Sequence, residues 1–223
     1  MHAKTTASAI AALALVAGAA SAQVYTQELG TGALDDGVQV ETFGPGAAPF
    51  FANAQGNDDE FQEYYVMRFD LSGYNLGEVA SVELDMRHEE AFFAASGLVS
   101  LSYSFDDITA LNSLIVNPSD VGGNDQLDSV EVATFEYIDT PGVDDQMTID
   151  TYVLSDLDGL FADVEAGGVI TLILEAAEPG TAALYSGIGN LEGAPVLRVT
   201  AVPTPGAAAI FGFASLTAAR RRR

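Results

Sequence analysis

Short runs of alternating apolar and polar residues, separated by glycine, asparagine, aspartate and proline, recur along the middle of this chain. The clearest run is Val79–Arg87, in which Val82, Leu84 and Met86 occupy every second position between polar or charged residues. Because side chains alternate between the two faces of a strand, a period of two predicts a half-buried β-strand. Repeated runs of this kind, with turn residues between them, favour an all-β fold.

The predicted strands are Gln39–Phe43, Tyr64–Leu71, Val79–Arg87, Leu98–Phe105, Val130–Tyr137, Met147–Ile149, Val169–Glu175, Ala182–Tyr185 and Pro195–Ala201. One helix is predicted over Thr151–Val164, where apolar residues recur at three- and four-residue steps. The longest irregular stretches are Gly44–Glu60 and Asn117–Asp128. This pattern predicts a single antiparallel β-sandwich over residues 23–201, a jelly roll of the galactose-binding-like type with one short helix.

The N-terminal residues 1–22 are predicted to be a secretory signal peptide. His2 and Lys4 precede the apolar run Ala7–Ala20, which is followed by a small-residue cleavage pattern. We expect cleavage between Ala22 and Gln23, so the chain is predicted to be exported.

The C-terminal residues 202–223 combine two prolines, an uncharged apolar segment and four terminal arginines. As a helix, Gly206–Ala219 reaches about 21 Å, which is shorter than the roughly 30 Å hydrocarbon core of a bilayer. The arginines resist translocation and stay on the cytoplasmic side. The segment is therefore predicted to hold the exported chain at the inner membrane as a short hydrophobic helix.

This order of proline motif, apolar segment and arginine cluster resembles the PEP-CTERM sorting signal, with Thr204 in place of the family's central glutamate. The resemblance implies an exosortase-like processing enzyme as a partner, and a final location at the cell surface or in the extracellular matrix. Before processing, the same tail would contact the membrane. The residues that carry the signal are Val202, Pro203, Thr204, Pro205, Arg220, Arg221, Arg222 and Arg223.

The predicted domain is strongly acidic. All 32 acidic residues of the chain lie in residues 23–203, against Arg68, Arg87 and Arg198 as the only basic ones, so the formal balance of this stretch is −29. Such a charge excludes nucleic acid as a partner, because phosphate contacts need a basic surface. Two interpretations of the acidity remain open, a hydrated surface that keeps the protein soluble and calcium binding by carboxylate oxygens.

A calcium site is predicted in the loop that runs to Asp128, where oxygen ligands alternate with glycines. The loop does not match the EF-hand pattern. A solvated turn is the alternative interpretation of the same residues. The candidate ligands are Asp120, Asn124, Asp125 and Asp128.

The sequence favours a protein without catalytic activity. The chain has no cysteine, which excludes cysteine nucleophiles and cysteine-based metal sites. His88 is the one histidine left after export, and we expect it to be exposed at the end of a strand. Adjacent acid pairs such as Glu89 and Glu90 point to opposite faces of a strand, which does not suit paired-acid catalysis.

Residues 60–201 resemble carbohydrate-binding modules of the DNRLRE type. The resemblance rests on Tyr65–Ser72, on Gly168–Leu174 and on the closing stretch Gly193–Thr200. It implies a sandwich that binds carbohydrate. Sugar sites need aromatic platforms with a few polar groups, and the chain has no tryptophan. The candidate ligand contacts are Phe50, Phe51, Phe92, Phe93 and Tyr185.

These observations predict an exported, non-catalytic protein of the cell surface or extracellular matrix, with extracellular polysaccharide as the expected ligand. One alternative is a calcium-dependent adhesion or matrix module that binds no sugar. The other alternative is a polysaccharide-degrading enzyme.

Overall fold

In the computed structural model, two antiparallel sheets and one short helix form a β-sandwich, which confirms the fold class expected from the alternating runs. A single hydrophobic core contains buried residues from both sheets. The structure describes residues 22–31, 35–41, 44–45, 51–56, 62–89, 93–104, 128–139, 148–188 and 193–202.

The helix α1 spans Leu160–Glu165. The strands are β1 (Gln23–Glu28), β2 (Asp36–Glu41), β3 (Gly44–Pro45), β4 (Phe51–Gly56), β5 (Gln62–Asp70), β6 (Glu78–Arg87), β7 (Gly97–Ser104), β8 (Ser129–Tyr137), β9 (Ile149–Leu154), β10 (Val169–Ala176), β11 (Ala182–Ser186) and β12 (Val196–Val202).

The smaller sheet has four strands in the order β1-β12-β6-β9, all antiparallel. The larger sheet has eight strands, and its main path is β11-β4-β5-β10-β7-β8. Strand β2 pairs with β5, and β3 pairs with β2. Some neighbouring strands are far apart in the chain, as β1 and β12 are, whereas others, such as β7 and β8, are consecutive.

The core lies between the two sheets. From the four-stranded sheet, Val82, Leu84 and Met86 are all 0% exposed, as the alternation in β6 predicts. From the eight-stranded sheet, Met67 and Phe69 of β5 are buried in the same core. Burying these side chains removes apolar surface from water, and this is the main term that holds two sheets together.

The predicted helix over Thr151–Val164 is wrong over its first turn, which belongs to β9. Tyr152 and Leu154 are buried while their neighbours in β9 are exposed, and this is the period of a strand. Asp158 and Gly159 then take φ values of 49° and 92°, so α1 begins only after them. Apolar spacing over a short window fits both a strand and a helix. Here the residues up to Leu154 form a strand because they pair with β6.

The predicted loop Gly44–Glu60 also contains strands, because β3 and β4 lie within it. Ala52 and Ala54 of β4 are fully buried, yet small residues among Asn and Gly give a weak strand signal. A further close approach occurs at Gly37 in β2, where a Cβ atom would lie 2.2 Å from the Tyr65 hydroxyl. Glycine at this position therefore allows the fully buried Tyr65 ring to lie against β2.

Candidate functional site

The two sheets are joined at one end of the sandwich by the residues that follow β6. The His88 backbone N–H donates to the Thr148 carbonyl at 3.0 Å, and His88 also forms a β-bridge with Tyr185 of β11. The next residue, Glu89, donates its backbone N–H to the Leu184 carbonyl at 3.2 Å. The chain thus passes from the four-stranded sheet to the edge of the eight-stranded sheet at His88.

A hydrogen-bond network surrounds this crossing, and all of its contacts to Asp150 fall on one carboxylate oxygen. His88 Nε2 lies 2.7 Å from Asp150 Oδ2. The hydroxyls of Tyr152 and Tyr185 donate to the same oxygen at 2.6 and 3.4 Å, and the two hydroxyls lie 2.5 Å apart. We call these four residues the His88 network.

Aromatic packing holds the His88 network in place. The His88 ring stacks on Tyr137 with centroids 4.9 Å apart, and it meets Tyr185 edge-on at 5.3 Å. Tyr152 stacks on Phe135. His88 is 3% exposed, so the expectation that it is an exposed strand-end residue is wrong. Aromatic pairs in these geometries stabilise beyond their buried area, which makes the network a rigid junction between the sheets.

The electrostatics of the network keep a negative charge on Asp150. Partial burial opposes ionisation of this carboxyl group, but hydrogen bonds from His88, Tyr152 and Tyr185 outweigh it and lower the pKa of Asp150. Burial, together with the neighbouring negative charge and hydrogen bonds, raises the pKa of Tyr152 well above its ordinary value. Burial likewise raises the pKa of Tyr185. The arrangement is therefore an ionised acceptor held by neutral tyrosine donors.

The two oxygens of Asp150 have different surroundings. Oδ2 accepts the hydrogen bonds described above, while Oδ1 accepts none from the described part of the chain. The Asp150 side chain is 27% exposed, although its partner His88 is only 3% exposed. Asp150 thus lies where the interior network reaches the surface.

No protein-family model matches the chain, and no curated protein matches it. Its function is therefore inferred from its own residues. The His88 network was missed by sequence reasoning, although one signal for it exists. His88 follows Val82, Leu84 and Met86 at the same two-residue spacing, so the alternation of β6 extended by one step places it on the buried face.

A second charged cluster lies on the outer side of the four-stranded sheet. Arg198 Nη1 donates to Glu83 Oε2 at 2.8 Å, and Nη2 donates to Asp85. Thr151 also donates its hydroxyl to Asp85, at 2.7 Å. Arg198 thus pairs with two acids, which are its neighbours across the strand pair β12–β6. Arg198 is 33% exposed, so this cluster suits a structural role on a solvated face.

The predicted ligand contacts divide into three groups. Phe51 and Phe93 are exposed, at 45% and 40%. Tyr185 is fully buried and bonded within the His88 network, so its prediction as a ligand contact is wrong, because its position in β11 points its ring into the core. Phe50 and Phe92 lie outside the described residues.

Of the predicted calcium ligands, only Asp128 lies among the described residues, and it is exposed just before β8. Its backbone carbonyl accepts a hydrogen bond from the Ser104 hydroxyl at 3.1 Å. Asp120, Asn124 and Asp125 lie outside the described residues. Within the described ranges, no three His, Asp or Glu side chains are grouped to hold a metal ion. The predicted calcium site stays a prediction.

The predicted processing sites lie at the two ends of the described chain. Ala22 is exposed, and Gln23 is the first residue of β1. Val202 is the last residue of β12 and is 41% exposed. Among the described residues, no helix has the length and apolar character needed to cross a membrane. The remaining residues of the predicted sorting signal, Pro203, Thr204, Pro205, Arg220, Arg221, Arg222 and Arg223, lie outside the described residues.

Proposed function

We propose that this protein is an exported, non-catalytic module of the cell surface or extracellular matrix that binds carbohydrate through its β-sandwich. The observation that carries the proposal is the exposure of two phenylalanines, Phe51 and Phe93, at 45% and 40%. Aromatic rings open to solvent are the usual apolar platforms of sugar sites.

The two phenylalanines lie on backbone segments that flank β11 on opposite sides. Phe51 pairs with Ser186 at the end of β11. Phe93 is two residues before Ala95, which bridges Ala182 at the start of β11. Neighbouring strands lie about 4.8 Å apart, so these segments are separated by roughly 10 Å across β11. The two segments are also offset along β11, because Ser186 is its last residue and Ala182 its first, so a ligand that contacts both rings has to be extended.

The environment of His88 argues against a catalytic role for this residue. A catalytic histidine must reach the proton that it transfers. His88 is 3% exposed, its Nε2 is bonded to Asp150, and its ring is packed between Tyr137 and Tyr185. These contacts suit a residue that joins the two sheets.

A glycan array, run with and without calcium, tests the proposal. We expect the wild-type chain to bind a glycan, and Phe51→Ala and Phe93→Ala each to weaken binding by about tenfold, since loss of an aromatic anchor costs on the order of 1–2 kcal/mol. Val153→Ala is the matched control, because Val153 is a 64% exposed apolar residue of β9 in the other sheet.

Three results would contradict the proposal. The first is no binding to any glycan. The second is equal binding by the wild type and both phenylalanine variants. The third is release of reducing ends from a polysaccharide panel, which would show an enzyme. Binding that requires calcium would add the metal ion to the site.

The proposed location rests on the sequence of the two ends. The signal peptide over residues 1–22 and the proline, apolar and arginine segments of residues 202–223 support export followed by processing of the tail. The intact mass of protein taken from the native surface tests this. A mass that includes both terminal segments would contradict it.

A further inference from the structure

The first and last strands of the sandwich bring the two ends of the domain side by side. Strand β1 begins at Gln23, which is paired with Ala201 near the end of β12. The Cα atoms of directly paired residues in antiparallel strands lie about 4.5–5.5 Å apart. The predicted signal peptide precedes Gln23, and the predicted sorting tail begins at Val202, the last residue of β12. Both predicted membrane segments therefore join the sandwich at one place, which we call the Gln23 end.

Strand β6 runs from the Gln23 end to the opposite end of the sandwich. Its first residue, Glu78, pairs with Val202, and its last residue, Arg87, pairs with Ile149 of β9. The ten residues of β6 extend for roughly 30 Å at a rise of about 3.3 Å per residue. His88 follows Arg87, so the His88 network lies at the opposite end, which we call the His88 end.

Phe51, one of the two proposed glycan contacts, lies toward the His88 end. Tyr185 of β11 forms a β-bridge with His88. The next residue, Ser186, pairs with Phe51. The strand pair β4–β11 thus brings Phe51 close to the level of His88 along the sandwich.

The backbone next to Phe93 is also connected to the His88 end. Two residues after Phe93, Ala95 forms a β-bridge with β11. Gly97 then pairs with Tyr137, whose ring stacks on His88. Both proposed glycan contacts therefore lie away from the place where the two predicted membrane segments join the sandwich.

We propose that the Gln23 end of the sandwich faces the lipid surface and that the His88 end, with the proposed glycan contacts, faces outward. The inference rests on the proposed function, because the membrane attachment comes from the two predicted terminal segments. It adds to that function the orientation in which the domain presents its ligand site.

A short connection and the charge of the domain both favour this orientation. Three residues, Pro203–Pro205, separate β12 from the apolar segment that starts at Gly206, and three residues span at most about 11 Å. This limit keeps the Gln23 end close to the lipid, whereas the length of β6 places the His88 end roughly 30 Å further out. The formal balance of −29 over residues 23–203 opposes a domain that lies flat on an anionic lipid surface.

Energy transfer from a dye on the domain to acceptor dyes on lipid headgroups tests the orientation. The chain has no cysteine, so one introduced cysteine carries one dye. Three exposed positions mark the length of β6: Glu78 at the Gln23 end, Val153 opposite Glu83 in the middle, and Ile138 beside Tyr137 at the His88 end. The full-length variants Glu78→Cys, Val153→Cys and Ile138→Cys are inserted into vesicles of phosphatidylcholine and phosphatidylglycerol.

We expect energy transfer to decrease in the order Glu78→Cys, Val153→Cys, Ile138→Cys. The dye at position 138 should lie roughly 30 Å further from the headgroups than the dye at position 78. Melting curves of the labelled variants show whether each is folded. Ala80→Cys, an exposed position in the same strand, replaces Glu78→Cys if that variant does not fold.

The outcomes separate the orientation from the attachment. Equal transfer from the three positions, as for a domain that lies flat or rotates freely, overturns the inference, and so does the reverse order. In both cases, flotation of the wild-type chain with the vesicles still supports the proposed attachment. A wild-type chain that does not float with the vesicles overturns the attachment and the orientation together, and glycan binding by the same chain then still supports the ligand part of the proposed function.

Discussion

Removal of the Tyr152 hydroxyl is the most direct perturbation of the His88 network. In the wild type this group donates to Asp150 Oδ2 at 2.6 Å and lies 2.5 Å from the Tyr185 hydroxyl. A hydrogen bond to a charged group contributes about 1.5–3 kcal/mol, and a neutral one about 1 kcal/mol. Tyr185 already lies 3.4 Å from Asp150 and can replace part of the loss by moving closer. We therefore expect Tyr152→Phe to lower the free energy of unfolding by about 2 kcal/mol.

Thermal and guanidinium unfolding measure this change. For a domain of this size, about 2 kcal/mol corresponds to a melting temperature lower by roughly 4–8 °C. Tyr25→Phe is the matched control, because the Tyr25 hydroxyl makes an exposed 3.4 Å contact to the Asn75 carbonyl. We expect it to change the free energy of unfolding by less than about 0.5 kcal/mol. If the two variants are equally stable, the network does not hold the sheets together as described.

Two other predictions concern pH and backbone packing. Because the folded state lowers the pKa of Asp150, its charge stabilises the fold above the ordinary carboxyl pKa of about 4 and loses that effect as pH falls through the lowered value. The difference in unfolding free energy between the wild type and Asp150→Asn should therefore shrink from pH 6 to pH 2; a constant difference would contradict this. Gly37→Ala should destabilise by about 1–3 kcal/mol, since its Cβ meets Tyr65 at 2.2 Å. Gly73→Ala is the control and should not destabilise the fold, because a Cβ atom there meets no atom within 4 Å. Equal melting temperatures for the two glycine variants would refute the close contact at Gly37.

The strands that could be predicted are those with a buried and a solvated face. In β6, Val82, Leu84 and Met86 are buried while Glu83 and Asp85 stay partly exposed, and the sequence shows this alternation directly. Strand β4 lacked such a signal, because its buried residues are alanines placed between polar residues. Small side chains bury little apolar surface, so they give a weak sequence signal. The strand is recognised only from its pairing with β11.

The error at Thr151–Val164 has the same origin. Its apolar residues fit a helical period and a strand period over a short window. The register with β6, which places Tyr152 opposite Leu84, decided that the first residues extend as β9. The positive φ values at Asp158 and Gly159 then separated them from α1.

The candidate site likewise has a part that could be predicted from the sequence and a part that could not. The sequence predicts Phe51 and Phe93 as ligand contacts, and the structure leaves both exposed, while the contact itself stays a prediction. The pairing of His88 with Asp150, 62 positions later in the chain, could not be predicted. The sequence around His88 does not identify Asp150 as its partner, because the environment of His88 is formed by β6, β9 and β11, which are distant in the chain.

The sequence by itself determined the fold class of this protein. Alternating runs select strands, because only the period of a strand places every second residue against a core. The 32 acidic residues, against three arginines in residues 23–203, predict that nucleic acid is not a partner, because net charge depends on composition and not on arrangement. The tertiary structure alone decided that four distant residues, His88, Asp150, Tyr152 and Tyr185, share one network. Strand β9 pairs beside β6 in one sheet, and β11 belongs to the other, so the packing of the two sheets brings these residues within hydrogen-bonding distance, where they shift each other's pKa.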